Sequence, residues 1–226
     1  MPLEPHHFWQ DILPPGTHEI TESYTGFYPA QFADGRQIAL PLRVLPGDGS
    51  RAVSSLIVNQ ASFAVEDALA QGMADLIAPY KVDAVIGVPT LGLPLANNVA
   101  RRLGHARMVP LGTSRKFWYV DELSEPLSSI TSPTHAKTIF IDPRMLPLVE
   151  GKRVCLIDDV ISSGSSMVAV LRLLEKAGIE PVVIAAAMLQ SNRWKDGLAK
   201  YQERVVAPLR TPLFEKTADE RWKPIA

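Results

Sequence analysis

The stretch of sequence that decides the fold is VCLIDDVISSGSS, residues 154–166. It begins as an apolar strand, reaches two adjacent acids at Asp158 and Asp159, and passes after two apolar residues into a run of serines around Gly164. Apolar residues then recur at helical spacing in SMVAVLRLLEKAG, residues 166–178. The stretch therefore predicts a strand, a loop and a helix in direct succession.

This strand-loop-helix unit has the chemistry of a site for a ribose phosphate. Ligands of open α/β sheets bind at the carboxyl ends of the strands, where Asp158 and Asp159 are expected. Backbone N–H groups and hydroxyls at the start of the next helix favour an anion, and Gly164 permits close backbone approach. Two adjacent carboxylates suit the vicinal hydroxyls of a ribose. The ordinary alternative is an acidic strand end capped by serines, which are common helix N-caps.

Short apolar strands alternate with helical patterns on both sides of this unit. The predicted order is helix 62–80, strand 83–89, helix 95–104, strand 106–111, a long loop, strands 137–142 and 153–159, helix 166–178 and strand 181–189. The first helix has its apolar residues at Phe63, Ala64, Leu69, Met73, Leu76 and Ile77. This alternation indicates a parallel sheet covered by helices on both faces.

The two flanks of this core read differently. Residues 25–45 predict a hairpin and residues 53–58 a third strand, while Pro41 predicts that its own strand is broken or at an edge. The chain thus divides into a β-rich flank at 1–58, a core at 59–190 and a tail at 191–226 that packs on the core or the flank. Three aromatic side chains of the flank are candidates either for stacking on a base or for packing on the core: Trp9, Phe27 and Tyr28.

Composition favours a small-molecule ligand. The chain has 23 Lys and Arg against 24 Asp and Glu, a net charge of -1, so no global field draws it to nucleic acid or a membrane surface. Its apolar stretches are too short to span a bilayer, and its first residues lack a signal-peptide pattern. The single cysteine, Cys155, lies in an apolar run and is expected to be buried and reduced. We expect a cytoplasmic protein.

At residues 154–166 the sequence resembles the signature of type I phosphoribosyltransferases, which bind 5-phosphoribosyl-1-pyrophosphate (PRPP). The resemblance implies an α/β fold, with a parallel-sheet core, helices on both faces and a small β-rich N-terminal hood. It implies that Asp158 and Asp159 hold the ribose hydroxyls and that the loop holds the 5-phosphate. The PRPP-binding residues of this segment are then Ile161, Ser162, Ser163, Gly164, Ser165 and Ser166.

Two more segments follow the order of that family. VIGVPTLGLPLA, residues 85–96, stands where members hold the pyrophosphate, and the alternative is a plain turn between strand and helix. The loop residues concerned are Pro89, Thr90, Leu91, Gly92 and Leu93. Arg115 and Lys116 match the Arg-Lys pair that opens a closing loop in the adenine type, or else are solvated surface charges. His135, near the end of that loop, is expected either to touch the ligand or, in the favoured alternative, to be exposed.

The resemblance implies transfer of the 5-phosphoribosyl group of PRPP to a nucleobase with release of pyrophosphate. Mg²⁺ is carried by PRPP, next to Asp158 and Asp159, and a homodimer is expected. The pattern is nearest to the adenine type, because Ser162 replaces the acid of hypoxanthine-guanine enzymes and Glu122 or Glu125 is available as the loop glutamate. The aromatic run after Lys116 departs from the adenine type and leaves the base open, adenine or another purine being favoured.

A second hypothesis is a catalytically inactive or regulatory protein that binds PRPP or a nucleotide. Such proteins often gain a nucleic-acid-binding element, and neither flank here is basic or shows a helix-turn-helix pattern. A nucleotide-dependent dehydrogenase is disfavoured because no G-x-G-x-x-G follows a predicted strand.

Overall fold

The computed structural model describes residues 3–127 and 137–225, so His135 lies outside the described part of the chain. The strands are β1 (Phe27–Gln31), β2 (Gln37–Val44), β3 (Arg51–Ser54), β4 (Ala84–Gly87), β5 (Val109–Pro110), β6 (Ser124–Leu127), β7 (Lys137–Phe140), β8 (Val154–Ile161), β9 (Pro181–Gln190), β10 (Val205–Val206), β11 (Leu209–Thr211), β12 (Leu213–Lys216) and β13 (Trp222–Ile225). The α-helices are α1 (Phe63–Ile77), α2 (Gly92–Arg102), α3 (Ser165–Lys176) and α4 (Trp194–Gly197). None of these helices has the length and apolar character needed to cross a bilayer.

A parallel sheet forms the centre of the fold, as the alternating pattern predicts. Its order is β10-β9-β8-β4-β5, with β11 also on β9, and every neighbouring pair is parallel. Alternate residues of β8 serve opposite faces: Cys155 and Ile157 pack in the cluster that includes α1 and α2, whereas Leu156 packs in the cluster that includes α3. Both faces of the sheet are therefore covered by helices, and Cys155 is buried as expected.

Strand β8 extends further than its apolar run indicates. It pairs with β4 only as far as Ile157 opposite Gly87, but its pairing with β9 continues to Ile161 opposite Leu189. The chain leaves β4 at Val88, whose N–H still donates to the carbonyl of Ile157 (2.8 Å). Beyond Ile157, the β4 side of β8 is consequently open to the segment that begins α2.

The α1 helix buries a different face from the one predicted. Leu69, Met73 and Ile77 are buried, but Phe63 is 86% exposed and Leu76 is 39% exposed. The buried stripe is completed instead by Val65, Ala70 and Ala74. Phe63 is the first helical residue, after the Ser62 N-cap, and its side chain is not covered by the sheet.

A second sheet, which we call the hood, is antiparallel and has the strand order β1-β2-β3-β12-β13. The predicted hairpin is confirmed, and a third strand forms at Arg51–Ser54 rather than at the predicted 53–58. Strand β2 lies between β1 and β3, so the prediction from Pro41 of an edge or broken strand is wrong. Ser55 N donates to the Pro41 carbonyl (2.9 Å), and the Ser55 carbonyl accepts from Trp9 Nε1 (2.9 Å). The indole of Trp9 thus replaces the ladder donor that proline lacks.

The segment at 137–142 does not join the parallel sheet. Strand β7 pairs antiparallel with β6, which lies inside the predicted long loop. The four residues of β6, SEPL, include a proline and a glutamate and show no alternation, so their sequence gives no strand signal. Residues 205–225 supply strands to both larger sheets, β10 and β11 to the core and β12 and β13 to the hood.

Candidate functional site

The paired acids lie at the carboxyl edge of the core sheet. Asp158 is 8% exposed and its Oδ1 accepts a hydrogen bond from Asp159 N (2.8 Å). Burial raises the pKa of Asp158 well above its usual range, and the negative charge of Asp159 adds to the rise. Burial also raises the pKa of Asp159, although a hydrogen bond from the protonated Asp158 opposes that rise. The backbone N–H groups of Asp159 and Val160 oppose these rises, but burial outweighs them, so the pair tends to keep a proton.

The segment at 89–93 lies directly against this pair. The peptide between Pro89 and Thr90 is cis, and α2 begins at Gly92. A Cβ built on Gly92 would stand 2.9 Å from Asp158 Cα and 3.1 Å from Asp158 Oδ1. Only a residue without a side chain permits this approach. The structure thus brings together two segments that the sequence predicts as parts of one site.

The serine loop ends in the N-terminus of α3. Gly164 has φ +80°, and a Cβ there would lie 3.3 Å from the Trp194 backbone. The first helical bond of α3 runs from Val168 N to Gly164 O, so the N–H groups before Val168 point out of the helix start. The loop lines a pocket of about 100 Å³. Asp158, Val160 and residues 161–167 form its wall.

The individual residues of the loop contribute differently. Ser163 Oγ and Ser165 Oγ lie 3.1 Å apart and are exposed. Ile161 is 2% exposed, so it offers the pocket its backbone rather than its side chain. Ser162 Oγ is already occupied, because it donates to Gln190 Oε1 (2.5 Å) and accepts from Arg193 Nη2 (2.8 Å). The hydroxyls nearest the surface are therefore those of Ser163, Ser165 and Ser166, and Ser165 N donates only a long hydrogen bond to Ser163 Oγ (3.4 Å).

Sequence reasoning missed Gln190 and Arg193. Gln190 is the last residue of β9, and Arg193 follows three positions later. Their positions in the sequence could have indicated a role at the site. Both lie at or just after the end of β9, which neighbours β8, so they reach the same carboxyl edge of the sheet.

Arg115 and Lys116 are exposed on the loop that follows β5. Arg115 forms an ion pair with Asp121. Trp118, further along, holds the loop by donating from Nε1 to Asp142 Oδ2 (3.1 Å) and by stacking under the Arg144 guanidinium (4.1 Å). Within residues 3–127 and 137–225, no hydrogen bond or ion pair links Arg115 or Lys116 to the paired acids.

Packing bears on the candidate loop glutamates and on the aromatic side chains of the flank. Glu125 is 9% exposed, and its Oε2 pairs with Lys176 Nζ of α3 (2.7 Å). This ion pair favours a role in packing β6 on α3 over a role as a free loop glutamate. Glu122 is exposed. Trp9 is 4% exposed in the core, which favours packing over base stacking, and Tyr28 packs edge-on against Phe214 of the hood (5.3 Å).

The acid pair also suits a divalent cation brought by a ligand. Among the described residues, no group of three or more His, Cys, Asp and Glu is placed to hold a metal. Mg²⁺ is usually bound by one or two carboxylates together with substrate phosphates, so Asp158 and Asp159 fit a Mg²⁺-phosphate ligand better than a resident ion.

Comparison with known proteins assigns the fold to one class. The sequence profile of the phosphoribosyl transferase domain matches residues 53–210. The chain belongs to that family, and its fold is the type I phosphoribosyltransferase fold.

Individual relatives differ in the base that they are named for. A hypoxanthine/guanine phosphoribosyltransferase of Methanosarcina mazei is 30% identical over 132 residues, 58% of this chain and 63% of the relative. An orotate phosphoribosyltransferase of Acinetobacter baylyi is 31% identical over 138 residues, 60% of this chain and 56% of the relative. The chain thus spans less than two thirds of the length of either relative.

A solved structure shares the fold. The adenine phosphoribosyltransferase of Giardia lamblia, complexed with 9-deazaadenine, has a TM-score of 0.58 and 22% identity, covering 76% of this chain and 93% of that one.

Proposed function

We propose that this protein transfers the 5-phosphoribosyl group of PRPP to a nucleobase, adenine or another purine being favoured, with release of pyrophosphate. The observation that carries the proposal is the contact of Gly92 with Asp158, beside the loop at 162–166. A ribose at the acid pair would have a phosphate site on one side and the segment at 89–93 on the other. Those are the two ends of PRPP.

Each group of residues has a defined role in this proposal. Asp158 and Asp159 accept hydrogen bonds from the two ribose hydroxyls, which add donors to the pair and favour its ionised form. The N–H groups and hydroxyls at 163–166 bind the 5-phosphate, helped by the dipole of α3. Ser162 and Ile161 fix the start of that loop.

The leaving diphosphate is assigned to the other side of the ribose. The backbone at Pro89, Thr90, Leu91, Gly92 and Leu93 binds it, and Arg115 and Lys116 neutralise its charge when their loop closes. Mg²⁺, carried by PRPP next to the acid pair, would further neutralise the diphosphate. A base nitrogen then attacks the anomeric carbon of the ribose as the bond to the diphosphate oxygen breaks. We also propose that the protein works as a cytoplasmic homodimer.

The test is release of pyrophosphate from PRPP and Mg²⁺ with a panel of purines, pyrimidines and orotate. We expect release with at least one purine, and loss of both release and PRPP binding in the double variant Asp158→Asn, Asp159→Asn. Release with orotate alone would refute the preference for a purine. PRPP binding without release for any base would support the regulatory alternative, and absence of PRPP binding would refute the assignment of the site.

A further inference from the structure

A chain of buried hydrogen bonds ties the start of the serine loop to the hood. Ser162 Oγ donates to Gln190 Oε1 (2.5 Å), and Gln190 Nε2 donates to the carbonyl of Ser54 (2.7 Å). We propose that Gln190 is a positioning residue, which clamps the phosphate loop to β3 of the hood and so holds it ready for PRPP. This inference rests on the proposed function, since it concerns how the same site is held.

The position of Gln190 makes it a bridge between three elements. Its neighbour Leu189 pairs with Ile161, so the ends of β9 and β8 lie side by side and Gln190 stands next to Ser162. Gln190 is 8% exposed and Ser54 is fully buried. Buried hydrogen bonds of this kind are costly to leave unmade, because the separated groups are shielded from water. The amide therefore fixes the distance from the hood to the loop.

The hydroxyl of Ser162 is used up by this arrangement. It donates its only proton to Gln190 and accepts from Arg193 Nη2 (2.8 Å), while Arg193 Nε donates to Ser191 Oγ (3.2 Å). Ser162 thus has no proton left to donate to a phosphate. Its side chain serves to anchor the loop, and the groups that face a ligand come from the residues after it.

The clamp matters because fewer hydrogen bonds hold the remaining residues of the loop. Ser163 and Ser165 bond to each other at the exposed surface, and Gly164 has a conformation that few side chains would tolerate. The clamp therefore reduces the ordering that PRPP binding would otherwise require, which is a preorganisation of the binding site. We expect loss of the clamp to weaken PRPP affinity more than it slows turnover.

The decisive variant is Gln190→Leu, which keeps the size of the side chain and removes both hydrogen bonds. We expect the KM and Kd for PRPP to rise about tenfold, with kcat changed less than threefold, on the scale expected when one buried hydrogen bond is lost. The milder variant Ser162→Ala, at a half-buried position, tests the loop end of the same chain. If both residues act through one clamp, the double variant should be no worse than the more severe single variant.

The chain offers a matched control in Gln37. Its side chain is also fully buried and its amide also bridges backbone groups, accepting from His18 N (2.8 Å) and donating to His18 O (2.9 Å). Both of those bonds stay within the hood region and do not reach the loop. Gln37→Leu should lower the melting temperature while leaving the KM for PRPP unchanged.

Two kinetic results would overturn the clamp: a KM for PRPP that rises no more in Gln190→Leu than in Gln37→Leu, or effects of Gln190→Leu and Ser162→Ala that simply add. Amide hydrogen exchange gives a readout that does not depend on activity. We expect faster exchange at residues 163–166 in Gln190→Leu and Ser162→Ala than in wild type or Gln37→Leu, and unchanged exchange there would refute the clamp. If the wild-type protein fails to bind PRPP while the exchange result holds, the proposed function fails and the clamp stands.

Discussion

Gly92 and Asp158 are in backbone contact, and the space between them is too small for a methyl group. A Cβ at Gly92 would lie 2.9 Å from Asp158 Cα and 3.1 Å from the Ile157 carbonyl oxygen. Both of these are backbone or near-backbone atoms of β8, which cannot rotate away as the end of a long side chain can. The start of α2 is therefore positioned by the strand that carries the acid pair, and a displacement of one moves the other.

Replacing Gly92 with alanine tests this contact. We expect Gly92→Ala to lower the free energy of unfolding by about 1 to 3 kcal/mol through overpacking. We also expect the KM for PRPP to rise, because the acid pair and the segment at 89–93 are pushed apart. Thermal melts and steady-state kinetics check the two effects.

Gly26 provides the control for that substitution, since a Cβ there would meet nothing within 4 Å. Gly26→Ala should change stability by less than about 0.5 kcal/mol and leave the kinetics alone. Kinetics of Gly92→Ala that match those of Gly26→Ala would show that the contact does not position the site.

The raised pKa of Asp158 predicts a stability cost that depends on pH. Below the pKa of the unfolded chain, 3.8, both states hold the proton and the cost is absent. As the pH rises through that value the unfolded chain releases its proton and the folded chain does not, so stability falls until the pH passes the raised folded pKa. Asp158→Asn removes this cost, and we expect the variant to melt above the wild type at about pH 8, with the gap narrowing towards about pH 4.

The same variant is expected to lose PRPP binding, so stability and binding should change in opposite directions. Melting of the variant below the wild type at the higher pH would show that the buried carboxyl is not held at a cost.

Gly164 has both a left-handed backbone conformation and a crowded Cβ position, whereas Gly104 has only the left-handed conformation. The φ of Gly164 is +80° and a Cβ would crowd the Trp194 backbone at 3.3 Å, whereas Gly104 has φ +82° with nothing within 4 Å. A left-handed conformation costs an alanine about 1 to 2 kcal/mol at either position. Gly164→Ala should also weaken PRPP binding, and Gly104→Ala should not, as isothermal titration can measure. Equal binding by both variants would argue against a phosphate site in the loop.

Arg115 and Lys116 are both exposed, so their removal should spare the fold. If they neutralise the diphosphate, the variant Arg115→Ala, Lys116→Ala should lower kcat/KM by roughly ten- to a hundredfold, the range for charged hydrogen bonds worth about 1.5 to 3 kcal/mol. The control is Arg36→Ala, which removes another exposed arginine, paired with Asp34 on the hood turn. Equal kcat/KM in the two variants would show that Arg115 and Lys116 are solvated surface charges without a role in the reaction.

Much of the core could be predicted because its strands are apolar on both faces and its helices are periodic. The strand, loop and helix at residues 154–178 contain every signal in one short segment, and the hairpin at β1 and β2 has a marked turn. β6 could not be found, since the buried Glu125 in it is paired with Lys176 and Arg172 of α3, which are distant in sequence. Likewise, Pro41 is tolerated inside a sheet only because Trp9, distant in sequence, replaces the missing donor.

The parts of the site that could be predicted are those whose residues are close together in the sequence. The contact between Gly92 and Asp158 depends on which strands are neighbours, and the bridge from Ser54 through Gln190 to Ser162 joins three separate parts of the chain. Short-range pattern carries no information on such contacts. The roles of Arg115 and Lys116 stay predictions, because in the part of the chain that the structure describes no hydrogen bond or ion pair links them to the acid pair.

The composition of the hood sheet has a consequence for the order of folding. Ala52 of β3 pairs with Phe214 of β12, and Tyr24 pairs with Trp222, so this sheet is completed by residues from opposite ends of the chain. Closing so long a loop is entropically slow, whereas the strands and helices of the core follow one another closely. We expect the core to form first. Until β12 arrives, β3 would present an unpaired edge to other molecules, which makes this strand the point where an incompletely synthesised chain is most prone to aggregate.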